Sequence, residues 1–274
     1  MHFFNSLFDL LFNFLSLGQW NLTLPDWGIF CLAVFIVGFA KAGLPGATII
    51  AVPLMAMILP PKISVGVMLP IYMIADIMSV WHWRRYAERN YCFPYLLFVG
   101  LGIWGASFIV RAVDNKTFGL LIGWAILILL LISLLTEAWG KRTQGKNASD
   151  APPPEKPSLA ISAFFGFSTG LISSLANAAG PIVSLYMIVS RRNKFQFLGT
   201  VAVCAFFMNW AKIPLFVSLG SISLQTLKLD VAAIPAIALG VLAGFILAGK
   251  IPQKAFKNVI CLLTFLASLN LIFR

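Results

Sequence analysis

The chain has 274 residues, of which 60% are apolar and only 11% charged, with a mean hydropathy of +0.92. A soluble domain carries roughly 25% charged residues, so this composition excludes a soluble globular protein and points to helices crossing a bilayer. The net charge of +11 does not indicate nucleic acid, because Arg84-Arg85, Arg191-Arg192 and Lys254 sit at the ends of apolar runs, where the positive-inside rule puts them.

In chain order, residues 1–25 come first. Asn5, Asp9, Asn13 and Ser16 recur at helical spacing, with Phe4, Leu7, Phe8, Leu11, Phe12 and Leu15 on the other side. This predicts an amphipathic helix lying in the membrane interface. No Lys or Arg precedes the apolar residues, so the segment does not read as a secretory signal.

Residues 26–59 are apolar but too long for one span, about 50 Å as a straight helix. They are interrupted at Lys41-Ala42-Gly43-Leu44-Pro45-Gly46. Gly and Pro unwind a helix, and unwound backbone at membrane depth survives only where it is buried or lines a cavity. Simple spans of about 20 residues follow at 64–83, 93–112 and 117–138, with Trp81, Trp83, Trp124 and Trp139 expected as interfacial anchors.

A polar, Pro-rich stretch at 140–157 reads as a solvated linker. Within it, Gly140-Lys141-Arg142-Thr143-Gln144-Gly145-Lys146-Asn147 imitates a phosphate loop, but Asn147 replaces the hydroxyl that holds magnesium and no buried strand precedes it. The second broken run, 158–190, is interrupted around Ser173-Ser174-Leu175-Ala176-Asn177-Ala178-Ala179-Gly180-Pro181. Three more spans are expected at 195–218, 229–249 and 255–273. Cys31, Cys92, Cys204 and Cys261 are isolated in the sequence and form no metal or disulfide pattern.

The halves echo each other. Gly38-Phe39 precedes Pro53 by the same interval that separates Gly166-Phe167 from Pro181, and Asp76 in the following span corresponds to Asn209. If each broken run crossed once, the flanking Lys and Arg residues would divide 9 against 9. If each enters and leaves on one face, they divide 13 against 5, with the 84–89 loop, the linker, the 191–194 loop and the 249–257 loop on the basic face. Only the second arrangement obeys the positive-inside rule. The fold expected is an all-α polytopic membrane protein of two inverted-topology repeats. Residues 26–139 and 158–274 each hold one broken or re-entrant helix pair and three transmembrane helices. The linker is cytoplasmic and both termini are external. Inverted repeats with broken helices are a transporter architecture.

Lys41 is the most informative residue. It falls about 20 Å into its helix, and a buried ammonium costs several kcal/mol unless paired or wetted. Together with the backbone N–H groups of Gly43 and Gly46 it forms a candidate anion site. The competing reading is a lysine that snorkels or pairs structurally. Asn177 and Gly180 occupy the matching break, where Asn177 either binds substrate or caps the broken helix. Ser173 and Ser174 are weaker candidates, since serine often bonds back to its own helix. Asp76 and Asn209 lie near mid-membrane. Asp76 either pairs with Lys41 and exchanges a proton, or makes a structural interhelical bond. Lys212 reads as more apt to snorkel outward than to join the site, and His82 as interfacial.

At Gly38-Phe39-Ala40-Lys41-Ala42-Gly43-Leu44-Pro45-Gly46, with Val52-Pro53 and Leu69-Pro70-Ile71-Tyr72-Met73-Ile74-Ala75-Asp76, the chain resembles the TauE/SafE (sulfite exporter) family. Gly166-Phe167-Ser168-Thr169-Gly170, Leu175-Ala176-Asn177-Ala178-Ala179-Gly180-Pro181 and Asn209-Trp210-Ala211-Lys212-Ile213-Pro214 resemble its second-repeat signature. The resemblance implies a secondary transporter in the bacterial inner membrane, moving sulfite or a small organosulfur anion such as a sulfonate, by export. A passive anion channel and a membrane-embedded enzyme using Lys41, Asp76 and His82 are the rival classes. The protein is not expected to be an enzyme or to need a cofactor or metal. The partners expected are a small anionic substrate, the lipid bilayer and, at most, a second copy in a homodimer, with no nucleic acid.

Overall fold

A computed structural model describes residues 22–43, 47–143, 158–189, 194–247 and 253–273. The interfacial helix expected before residue 22, Gly46 in the first break and most of the linker lie outside the described residues. All regular secondary structure among the described residues is helical. The first broken run is α1 (Leu24–Gly43), a 3-10 turn (Ala47–Ile50) and α2 (Ala51–Ile58). Three long helices follow: α3 (Pro61–Trp83), α4 (Arg89–Ala112) and α5 (Asn115–Thr143). The second broken run is α6 (Leu159–Ala176) and α7 (Gly180–Val189), followed by α8 (Lys194–Ser218), α9 (Leu224–Leu247) and α10 (Gln253–Phe273). Seven stretches among the described residues are long and apolar enough to cross a membrane. The chain is a multi-pass membrane protein.

Both runs break where Gly, Pro and Asn were expected to break them, and the arms are unequal. α1 and α6 have 20 and 18 residues and are span-length. α2 and α7 have 8 and 10 residues and are half-spans. In the second break Asn177 stops α6 in the left-handed region (φ 49°, ψ 24°), its N–H bonded to the Ser173 carbonyl, a conformation asparagine tolerates better than most residues. Gly180 and Pro181 then open α7, with Pro181 at a position whose N–H needs no partner.

α4 lies along α6, and α9 along α1, as the two most extensive helix pairs. Glycine makes this possible. A Cβ at Gly170 would stand 2.1 Å from the Val99 carbonyl oxygen, and one at Gly102 2.2 Å from that of Phe167. Across the other pair, a Cβ at Gly240 would stand 2.2 Å from the Phe35 carbonyl oxygen and one at Gly38 2.5 Å from that of Ile237. In lipid, where helices gain little from excluding water, such close backbone approach supplies the packing. Several further contacts pair in the same way: α2 on α10 and α7 on α5, α3 on α9 and α8 on α4, with α3 also on α8 and α5 on α10. Phe93, Trp104, Phe164 and Trp124 project outward, each more than half exposed, as lipid-facing residues do.

Two sequence expectations are corrected. Trp124 falls nine residues into α5, about 14 Å from its start, so it faces the hydrocarbon middle instead of anchoring an end. α5 also runs on to Thr143, four residues into the stretch read as linker. Cys92 and Cys204, isolated in the sequence, are brought near each other where α4 meets α8, and the Cys92 thiol donates to the Thr200 carbonyl at 4.0 Å.

Candidate functional site

Polar side chains from α1, α3, α6 and α8 converge in the interior. Lys41 lies in the last turn of α1, where the negative end of the helix dipole favours a cation. Its ammonium donates to Asp76 Oδ1 of α3 and lies 5.6 Å from the centre of the Tyr72 ring. Asn209 of α8 donates through Nδ2 to the other carboxylate oxygen, Oδ2, at 2.6 Å. Asp76 is thus held from both sides and is fully buried, while the Lys41 side chain retains 19% exposure. Two further bonds hold the surroundings of Lys41. The Ser79 hydroxyl donates to the Lys41 carbonyl at 3.4 Å, and the Tyr72 hydroxyl to that of Thr48 at 3.1 Å, tying α3 to both sides of the first break.

Lys212 is fully buried. The expectation that it snorkels outward is overturned. It sits one turn along α8 from Asn209, on the same face, and its ammonium turns inward to the second break. It donates to Asn177 Oδ1, to Ser173 Oγ at 3.0 Å and to the Ser173 carbonyl at 3.4 Å. Its direct partners are therefore neutral. Asn177 in turn donates through Nδ2 to the Val65 carbonyl of α3 at 2.9 Å. The residue thus stops α6 with its backbone and joins three helices with its side chain. Ser174 bonds back to the Gly170 carbonyl at 2.8 Å, and only Ser173 of the pair reaches the cluster.

Of the candidates named from the sequence, Lys41, Asp76 and Asn209 form one bonded group and Asn177 belongs to a second with Lys212, the two groups lying one turn apart along α8, with Gly43 ending α1 and Gly180 opening α7. His82 is exposed at the end of α3. It lines, with Lys41, Ala75, Ser79 and Trp83, a cleft of about 10 Å³. That is near the lower limit of about 10–15 Å³ for a single water molecule. The cleft runs from Lys41 toward the helix end that carries Arg84 and Arg85. Sequence reasoning missed Asp230 of α9, which is buried with neither carboxylate oxygen partnered among the described residues. An ionisable residue inside a span was the available signal.

Two lysines, Lys41 and Lys212, share one carboxylate, Asp76, and Lys212 lies within electrostatic range of both others. With both lysines protonated, the cluster carries one positive charge more than Asp76 cancels. An uncompensated buried cation costs several kcal/mol. The arrangement suits the entry of one negative charge, with N–H donors of two lysines and two asparagines within reach of its oxygens.

A family model described as "Sulfite exporter TauE/SafE" matches residues 30–271. The match spans nearly the whole chain, both broken runs and every residue of the cluster, and the chain belongs to that family. No curated protein and no solved structure matches it.

Proposed function

We propose that this member of the sulfite exporter TauE/SafE family is a secondary carrier. It moves sulfite or a small organosulfonate outward across the bacterial inner membrane by alternating access. The observation that carries the reading is the pair of interior lysines, one beside each helix break, that share the single carboxylate of Asp76. A sulfonate or hydrogen sulfite ion brings one negative charge spread over oxygens that can each accept a hydrogen bond, which matches the one unbalanced ammonium. Lys41, Lys212, Asn177 and Asn209 hold the anion, with the backbone at Gly43 and Gly180.

Asp76 is the coupling group. An arriving anion competes with it for Lys41, and the released carboxylate becomes free to accept a proton, so substrate occupancy and protonation are linked at one pair. The helix contacts support two repeats, since exchanging residues 26–139 with 158–274 maps α1–α9 onto α6–α4, α2–α10 onto α7–α5 and α3–α9 onto α8–α4, and the charge division favours the inverted arrangement. Rocking of one half against the other would expose the cluster to each side in turn. The charge division supports a cytoplasmic linker and external termini. The narrowness of the cleft beside Lys41 favours a carrier over an open channel.

The test is flux in proteoliposomes loaded with labelled sulfite, taurine or sulfoacetate. The proposal expects saturable flux of at least one of these solutes, accelerated by a proton gradient and abolished in Lys41→Ala. Unchanged flux in Lys41→Ala would overturn the site, and flux that never runs against a gradient would make the protein a channel.

A further inference from the structure

A second feature lies on the outer surface, away from the charged cluster. Where α4 meets α8, a groove of about 730 Å³ opens to the surroundings, within the roughly 300–1,000 Å³ of pockets that enclose a small organic ligand. Its walls are apolar: Phe93 and Leu97 on one side and Phe207 on the other, each more than half exposed, over a floor that includes Val99 and Met208. One end differs. Arg84 and Arg89 both line the groove there and both are exposed. Neither has a carboxylate partner among the described residues.

The level of that end is marked independently. Arg84 stacks on Trp81 at 4.9 Å, and Trp81 and Tyr86 are exposed beside it, as aromatic residues are at the headgroup boundary. From Arg89 to Gly100 the groove follows twelve residues of α4, eleven steps or about 16 Å at ~1.5 Å per residue. One leaflet of a hydrocarbon core ~30 Å thick is ~15 Å deep. At the inner end, Gly100 faces open space, with nothing within 4 Å of where a Cβ would stand. The glycine is not required there by packing, unlike Gly102 on the same helix, and its absent side chain leaves the groove open.

We infer that this groove is a binding site for one anionic phospholipid of the adjoining leaflet. Its phosphate lies between Arg84 and Arg89, and one acyl chain runs along Phe93, Leu97 and Phe207 to Gly100. The charge of the two guanidinium groups selects the headgroup, and the length of the groove matches the chain to one leaflet. The occupant fastens α4 to α8, one helix from each half.

The test is native mass spectrometry of the full chain in detergent, titrated separately with phosphatidylglycerol, cardiolipin and phosphatidylethanolamine. The site predicts a single bound anionic lipid, held at least ten-fold more tightly than phosphatidylethanolamine. Arg84→Gln/Arg89→Gln, which changes only exposed side chains, should erase that preference. Gly100→Trp should displace the lipid by filling the groove. Equal retention of all three lipids, or an unchanged preference in the arginine variant, would overturn the proposal. So would a dimer of the purified chain that Gly100→Trp dissociates, since a second copy would then be the occupant.

Discussion

Replacing Lys41 by methionine leaves the Asp76 carboxylate buried, with Asn209 still donating to Oδ2 but Oδ1 without its cation. Removing one partner of a buried ion pair costs about 3–5 kcal/mol. The Lys41 side chain is 19% exposed, so some solvent screening discounts the pair, and about 3 kcal/mol is the figure to expect. At about 2–4 °C per kcal/mol for a domain near this size, the midpoint should fall by about 6–12 °C. Asp76→Asn should also destabilise, since it leaves two buried ammonium groups without a countercharge. The double variant Lys41→Met/Asp76→Asn removes both charges of the pair, and its loss should fall short of the sum of the singles by about 1.5 kcal/mol or more. Tryptophan fluorescence during thermal unfolding in detergent reads all four proteins. Additive losses would refute the view that Lys41 and Asp76 act as a pair.

Lys212→Met should lower affinity for the transported anion at least ten-fold, measured by calorimetry, because it removes the ammonium whose only direct partners are neutral. Gly170→Ala should destabilise the chain strongly, as its methyl would stand 2.1 Å from the Val99 carbonyl oxygen. Gly100→Ala, with nothing within 4 Å, should be neutral or stabilising by about 0.5–1 kcal/mol, and the same unfolding assay compares the two. In a chain stripped of its own cysteines, a thiol placed at Asn90 should react with a membrane-impermeant reagent only from the cytoplasm, and one at Asn115 only from outside. The reverse pattern would invert the topology.

The helix breaks were legible in the sequence because Gly, Pro and a mid-span lysine coincide there, and each has a local physical cost that only an interrupted helix relieves. Lys41 and Asp76 were legible for the same reason: an ionisable residue in a span needs an explanation wherever it lies. The role of Lys212 was not. It lies six residues from the end of α8, about 9 Å, a distance a lysine side chain can span to reach the interface. What turns it inward is the left-handed Asn177 on another helix, a placement fixed by packing and not by spacing. The same holds for the bond from Asn177 to Val65 and for the meeting of Cys92 with Cys204. Each joins residues more than a hundred positions apart, and no local pattern encodes them.

The central claim is that the cluster of Lys41, Asp76, Asn177, Asn209 and Lys212 binds a sulfur oxyanion. The most direct test is binding of sulfite, sulfoacetate, taurine and thiosulfate to purified protein, comparing wild type with Lys41→Ala and Lys212→Met. The account predicts saturable binding of one of these anions, one per chain, weakened at least ten-fold in both variants. Binding that persists unchanged in both would contradict it and place the anion elsewhere in the molecule.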